Sequence, residues 1–143
     1  MTGALNHSIA ALRDSFRAQH PRTRVFYAGK ACSNLWFLDR ARRAGIDAEV
    51  SSGGEPWKVR KVGFEPRQIV FSGVAKTRDE IEAALQPPAE AIVVDSVFEL
   101  RRVAEVAADL GAERGSRCAS TSTRRARRTR ACARAWAPRP AST

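Results

Sequence analysis

Aliphatic and acidic residues run out before this chain does. Residues 114–143 hold no Leu, Ile, Val, Met, Phe or Tyr and no Asp or Glu, while nine arginines remain. Such a stretch has nothing with which to bury a core, so residues 113–143 are expected to be a disordered basic tail. The net charge of +10 belongs to that tail, because residues 1–113 carry 16 Lys and Arg against 15 Asp and Glu. A near-neutral body removes the electrostatic case for a nucleic-acid-binding or membrane-surface fold. A basic arm that neutralises phosphates remains an alternative role for the tail alone; nucleic acid is not the expected partner. Cysteine is scarce too. Cys32, Cys118 and Cys132 are odd in number and lack a Cys-x-x-Cys spacing, so neither a disulfide framework nor a zinc site is expected, and no metal. No apolar run approaches the ~18 residues of a membrane span, and residues 1–10 lack a basic stretch followed by an apolar core. No membrane partner and a cytoplasmic, reducing setting are the expectations.

What is present, over residues 1–112, alternates short β-rich runs with helical patterns. Leu5, Ile9, Leu12 and Phe16 at helical spacing predict a leading helix over 5–18, ended by His20-Pro21. Strands are predicted over 23–28, 46–51, 68–72 and 91–94, and helices over 35–44, 55–62, 78–85 and 97–110. Gly45, Gly63 and Gly111 stand where helices commonly end in a left-handed residue. Ser52-Gly-Gly-Glu55, Thr77-Arg-Asp-Glu80 and Ser96-Val-Phe-Glu99 have the spacing of capping boxes. Strand-helix units in series argue for an α/β fold with a parallel sheet covered by helices. A closed barrel and an open doubly wound sheet both satisfy that pattern.

Chemistry concentrates in Phe26-Tyr27-Ala28-Gly29-Lys30-Ala31-Cys32-Ser33-Asn34, which sets a lysine at the C-terminal end of a strand. In a parallel barrel that end faces the active site. A lysine desolvated there can attack an aldehyde and form a Schiff base; a lone strand-end lysine more commonly just reaches solvent. The surrounding blocks change the balance. Tyr27-Ala-Gly-Lys30-Ala-Cys-Ser-Asn34 resembles the Tyr-Ala-Val-Lys-Ala-Asn signature of fold-type III pyridoxal enzymes, the alanine-racemase-like barrel of diaminopimelate, ornithine and arginine decarboxylases. Glu49-Val-Ser-Ser52-Gly53-Gly54-Glu55 is similar to their Asp-Val-Val-Ser-Gly-Gly-Glu segment. Ile69-Val-Phe-Ser72-Gly73-Val-Ala-Lys76-Thr77 is similar to Ile-Val-Phe-Ser-Gly-Val-Gly-Lys-Thr, and Ile92-Val-Val-Asp95-Ser96 to the fourth strand and its exit. The blocks keep the family's order over residues 22–111 and look most like the diaminopimelate branch.

The resemblance implies the first four strand-helix units of a (β/α)8 barrel, pyridoxal 5'-phosphate as cofactor, and decarboxylation of an amino acid. It implies Lys30 as the Schiff-base lysine, with Glu49, Ser52, Gly53 and Gly54 beside the cofactor. A cap and a turn account for Ser52 to Gly54 about equally well. Ser72 and Gly73 share that ambiguity, and Lys76 is expected on a solvated loop. Three positions depart from the family pattern: Gly29 for Val, Cys32 for Asn, and Glu49 for Asp.

After Gly111 the resemblance implies a fifth strand near Ala-Leu-Arg-Val-Asn, whereas the chain reads Arg117-Cys-Ala-Ser-Thr121. Codons begun one base earlier let the second sequence become the first. Residues 129–137 can likewise become a His…Thr-Gly segment, so a slip of reading frame near 113–115 would account for the tail. The phosphate-binding loops, the partner of the pyridine nitrogen and the substrate clamp of a whole enzyme would all lie beyond that point. The segment alone is therefore expected to be inactive, without firm hold on the cofactor, and not to form the family's homodimer. Its first and fourth strands are expected as exposed edges. Two other readings stay open: a non-catalytic pyridoxal-binding barrel, and an open-sheet nucleotide domain, against which Gly29-Lys30-Ala31-Cys32 lacks the glycine spacing of a phosphate loop.

Overall fold

A computed structural model describes residues 2–111 and the backbone of 117–120. The chain divides between Val70 and Phe71 into two compact units.

The first unit opens with α1 (Thr2–Gln19), followed by β1 (Phe26–Ala28), α2 (Leu35–Arg43), β2 (Asp47–Val50) and α3 (Gly54–Lys61). The chain reaches β3 (Ile69–Phe71) at the boundary, and these strands lie in the order β1-β2-β3. β1 and β2 run parallel, with Phe26 opposite Asp47, Tyr27 opposite Ala48 and Ala28 opposite Glu49. β2 alternates Asp47 and Glu49 with buried Ala48 and Val50, the period-two pattern of a strand packed on one face. Leu38 and Ala41 from α2 and Val59 from α3 are buried.

Both helices end the way their glycines forecast. Gly45 has φ +71° and donates to the Arg42 carbonyl, and Ile46 N then reaches back to Ala41 O at 3.1 Å. Gly63 has φ +88°, and Phe64 N likewise reaches Val59 O at 3.1 Å. This is the Schellman arrangement, whose left-handed residue costs glycine little. It delivers an apolar residue, Ile46 or Phe64, straight from the helix end into the core. At the same N-terminal ends of the strands Arg24 donates to Asp47 Oδ2 (2.8 Å) and to the Arg67 carbonyl (2.7 Å), tying the approaches to β1, β2 and β3.

α1 forms where the helical spacing predicts it and ends before His20-Pro21, though Leu12 and Phe16, two of the four apolar residues that predict it, are 51% and 50% exposed. Arg13 supplies one tie by donating to the Ala44 carbonyl past the end of α2.

In the second unit come α4 (Arg78–Leu85), β4 (Ala91–Val94), α5 (Val97–Asp109) and β5 (Arg117–Ser120). Ile81, Leu85, Ile92, Val94, Val103 and Val106 form its buried centre. The Thr77 capping box is complete: Glu80 N donates to Thr77 Oγ1, and Thr77 N donates to Glu80 Oε2. The Ser96 box is half formed. Ser96 Oγ accepts from Glu99 N at 3.0 Å, but the Glu99 carboxylate turns elsewhere. The expected Ser52 box does not form: α3 is preceded by Gly53, whose side makes no cap, and Glu55 Oε2 accepts from Ser51 N instead (2.6 Å).

Two expectations about the tail change. β5 pairs parallel with β4, Ala91 opposite Arg117 through Val94 opposite Ser120. The fourth strand is therefore not an edge, and the tail holds a strand within the stretch expected to be disordered. The remainder of the 113–143 tail lies outside the described residues, as does the expected frame slip at 113–115.

Candidate active site

Lys30 occupies a 3-10 turn, Gly29–Ala31, that begins where β1 ends. The sequence offers two readings, a lysine desolvated by its neighbours and a strand-end lysine reaching solvent; here Lys30 is exposed. The turn puts Gly29, not Lys30, into the buried position. A Cβ on Gly29 would stand 3.1 Å from the Glu49 carbonyl oxygen and 3.5 Å from Glu55 Oε2. Close approach to β2, rather than a left-handed φ, is what the missing side chain permits here.

The segment after Lys30 is held from two sides. The Tyr27 hydroxyl donates to the Cys32 carbonyl at 3.0 Å, and Lys58 Nζ of α3 donates to Ser33 Oγ at 2.8 Å. Burial pushes the Tyr27 phenol above its ordinary value, and the Cys32 thiol adds to that rise. The phenol thus stays a hydrogen-bond donor through neutral pH. Next, Asn34 Oδ1 accepts from Trp36 N at 2.9 Å and caps α2. A lysine on a turn pinned at Cys32, Ser33 and Asn34 has a fixed base and a free head.

The other proposed cofactor residues gather at the same ends of the strands. Glu49 lies opposite Ala28 in the β1–β2 register, one residue before Lys30's turn begins. Ser52 and Gly53 lead into α3, and Ser52 O accepts from Glu55 N at 3.0 Å. Gly54 has nothing within 4 Å of where a Cβ would be, and Gly53 has an ordinary right-handed φ of −56°. The backbone conformation at Gly53 therefore needs no glycine, and Gly54 has space for a side chain. Open space at Gly54 fits the approach of a bound group. Lys58 and Glu55, which anchor this neighbourhood, escaped the sequence reading as positioning groups. The only hint was a helical offset of three between them.

In the second unit the structure corrects the expectation for Lys76. Its side chain is 0% exposed, and its ammonium donates to Glu99 Oε1 (3.1 Å), to the Val93 carbonyl (2.6 Å) and to the Gly73 carbonyl. A buried ammonium survives only when paired and hydrogen-bonded, and Glu99 supplies the charge.

The chain matches the family of pyridoxal-dependent decarboxylases, pyridoxal binding domain, over residues 6–129. It belongs to that family. The diaminopimelate decarboxylase of Pseudomonas aeruginosa is 42% identical over 87 residues, which are 61% of this chain and 21% of that protein. A solved diaminopimelate decarboxylase of Helicobacter pylori, complexed with L-lysine, superposes with a TM-score of 0.61 and 38% identity over 64% of this chain and 24% of that one. A solved Aquifex aeolicus protein reaches a TM-score of 0.77 at 27% identity, covering 92% of this chain and 35% of that one. This member of the pyridoxal-dependent decarboxylases thus spans a fifth to a third of the length of these relatives. Its strands and helices match the leading strand-helix units of the decarboxylase barrels, and pyridoxal phosphate is the family's cofactor. Among the described residues no group of His, Cys, Asp and Glu could hold a metal ion, and no helix is long and apolar enough to cross a membrane.

Proposed function

We propose that this chain contributes the lysine-bearing part of a decarboxylase that converts meso-diaminopimelate to lysine, with Lys30 as the residue that holds pyridoxal phosphate. The observation that carries the reading is the Gly29–Ala31 turn: an exposed lysine at the end of β1, its flanks pinned by Tyr27 and Lys58. Diaminopimelate as substrate rests on the names of the relatives. Pyridoxal phosphate, when bound, supplies an electron sink for the electrons that remain as carbon dioxide departs.

This chain's own residues do the holding. Lys30 would hold the cofactor through Nζ, and the pinned turn fixes the backbone from which that side chain reaches. Glu49, at the adjacent strand end opposite Ala28, would lie beside the cofactor. Gly54, with nothing within 4 Å of where a Cβ would stand, leaves room at the start of α3, where Ser52 and Gly53 would also lie beside the cofactor. Phosphate binding, the partner of the pyridine nitrogen and substrate selection are assigned to none of the described residues.

The test is a chimera in which residues 22–111 replace the matching segment of the Helicobacter pylori enzyme. It should release carbon dioxide from meso-diaminopimelate, and Lys30→Ala should abolish the release. A folded chimera that binds pyridoxal phosphate yet leaves diaminopimelate untouched sinks the proposal.

A further inference from the structure

Lys76 sits in the loop between β3 and α4, a stretch of Ser, Gly, Val and Ala outside any helix or strand. Two features of that loop are unusual. Ala75 has φ +51°, the one non-glycine residue with positive φ among the described residues. An alanine there is strained, and such residues persist only where their surroundings over-determine them. Val74, at the tip of the loop, is 76% exposed.

What over-determines the loop is one atom. An ammonium has three protons to donate, and Lys76 Nζ meets three acceptors: the Gly73 carbonyl at the start of the loop, the Val93 carbonyl in β4, and Glu99 Oε1 in α5. Phe71 at the end of β3 closes the remaining side, with its ring centroid 5.6 Å from the nitrogen. Glu99 spends its second oxygen on Asp95 N at 2.9 Å, and Oε1 also accepts from Lys76 N at 3.4 Å. The carboxylate therefore binds both the β3–α4 loop and the β4–α5 loop.

We propose that the Lys76–Glu99 pair is a conformational clamp: it, and not the chain geometry of the loop, holds residues 73–76 in their left-handed turn and locks that turn to the end of β4. In a parallel barrel the loops after the strands build the active-site face, so the clamp sets the shape of part of that face without touching a ligand. This goes beyond the cofactor reading and does not depend on it.

The clamp is tested by amide hydrogen exchange in the full 143-residue chain, comparing the parent with Lys76→Met/Glu99→Met and with Lys76→Arg. Removing both charges together avoids leaving either one buried and unpaired. Arg keeps the charge but cannot place three donors on one nitrogen. The readout is the two loop amides that Glu99 accepts, those of residue 76 (3.4 Å) and Asp95 (2.9 Å), against Val94 and Val103 as references. Lys76→Arg, which keeps Glu99 and its carboxylate, should speed exchange at both amides by about tenfold or more, as should the double variant, with the references changed less than about twofold. Unchanged loop amides in a folded variant, or acceleration spread evenly over the unit, overturn the clamp, as does failure of both variants to fold. In the parent, Lys76 should undergo reductive methylation at least about tenfold more slowly than Lys58 or Lys61, since only protected amines resist it; comparable rates also overturn the clamp.

Discussion

Replacing Tyr27 by Phe removes one hydroxyl and keeps the ring. The structure sets the size of the effect. The lost bond runs from the phenol to the Cys32 carbonyl at 3.0 Å, between partly buried groups, and a neutral bond of that kind contributes about 0.5–1.5 kcal/mol net. A partly buried carbonyl can turn to water, which places the loss near about 0.5–1 kcal/mol, or roughly a two- to fivefold fall in the folded-to-unfolded ratio. The loss should be local as well, because this bond closes the turn that carries Lys30: amides of Ala31 and Cys32 should exchange faster while those of Ala48 and Val50 do not. The same side chain gives an independent spectroscopic check. Tyr27 is the one tyrosine in the sequence, so phenolate absorbance reports it alone. Burial raises its folded-state value above the ordinary ~10. A raised acid binds its proton more tightly in the folded state than in the unfolded one. Its contribution to stability is therefore complete below pH ~10 and is lost as pH climbs through the folded value. The assays are urea unfolding followed by tryptophan fluorescence, and an ultraviolet pH titration. A Tyr27 midpoint at or below the unfolded value, or a Phe variant whose Ala31 and Cys32 amides exchange as in the parent, refutes the reasoning.

Other substitutions test neighbouring parts of the account. Gly29→Val, which restores the residue of the family signature, should destabilise this chain by about 1–3 kcal/mol through overpacking, because a Cβ already meets the Glu49 carbonyl at 3.1 Å; urea unfolding measures it, and a neutral result would mean β2 yields easily. Ala75→Gly relieves the φ of +51° and should stabilise by about 0.5 kcal/mol, strain relief outweighing the added freedom of the unfolded chain. Thr77→Ala removes the cap of α4 and should cost about 1 kcal/mol, read from the same unfolding curves.

The pattern of elements was legible because it depends on neighbours in sequence. β4 and α4 have the bounds that periodicity assigned, and Gly45 and Gly63 mark helix ends since each backbone conformation there is set within one turn. Capping boxes were only partly legible. Thr77 and Glu80 bond each other, whereas Glu99, at the same spacing from Ser96, is drawn off by a lysine 23 residues earlier. Lys76 shows the same limit. Nothing in Gly-Val-Ala-Lys-Thr marks a buried ammonium, because its acceptors come from β4 and α5. At the candidate site the sequence located Lys30 and its strand end through the motif. It did not reveal that Gly29 would take the buried place and leave the lysine exposed, which is a matter of how closely the turn approaches β2. The pairing of β5 with β4 was also missed, since residues 117–120 carry no apolar alternation.

The central claim is that Lys30 is the lysine that holds pyridoxal phosphate. It is tested most directly by borohydride reduction of the pyridoxal-phosphate-loaded chimera carrying residues 22–111, followed by peptide mapping of the label. The account predicts one phosphopyridoxyl group, on Lys30, absent after Lys30→Ala, with Lys58, Lys61 and Lys76 unmodified. Label on another lysine of the segment, or a folded and cofactor-binding chimera with Lys30 unlabelled, would contradict it.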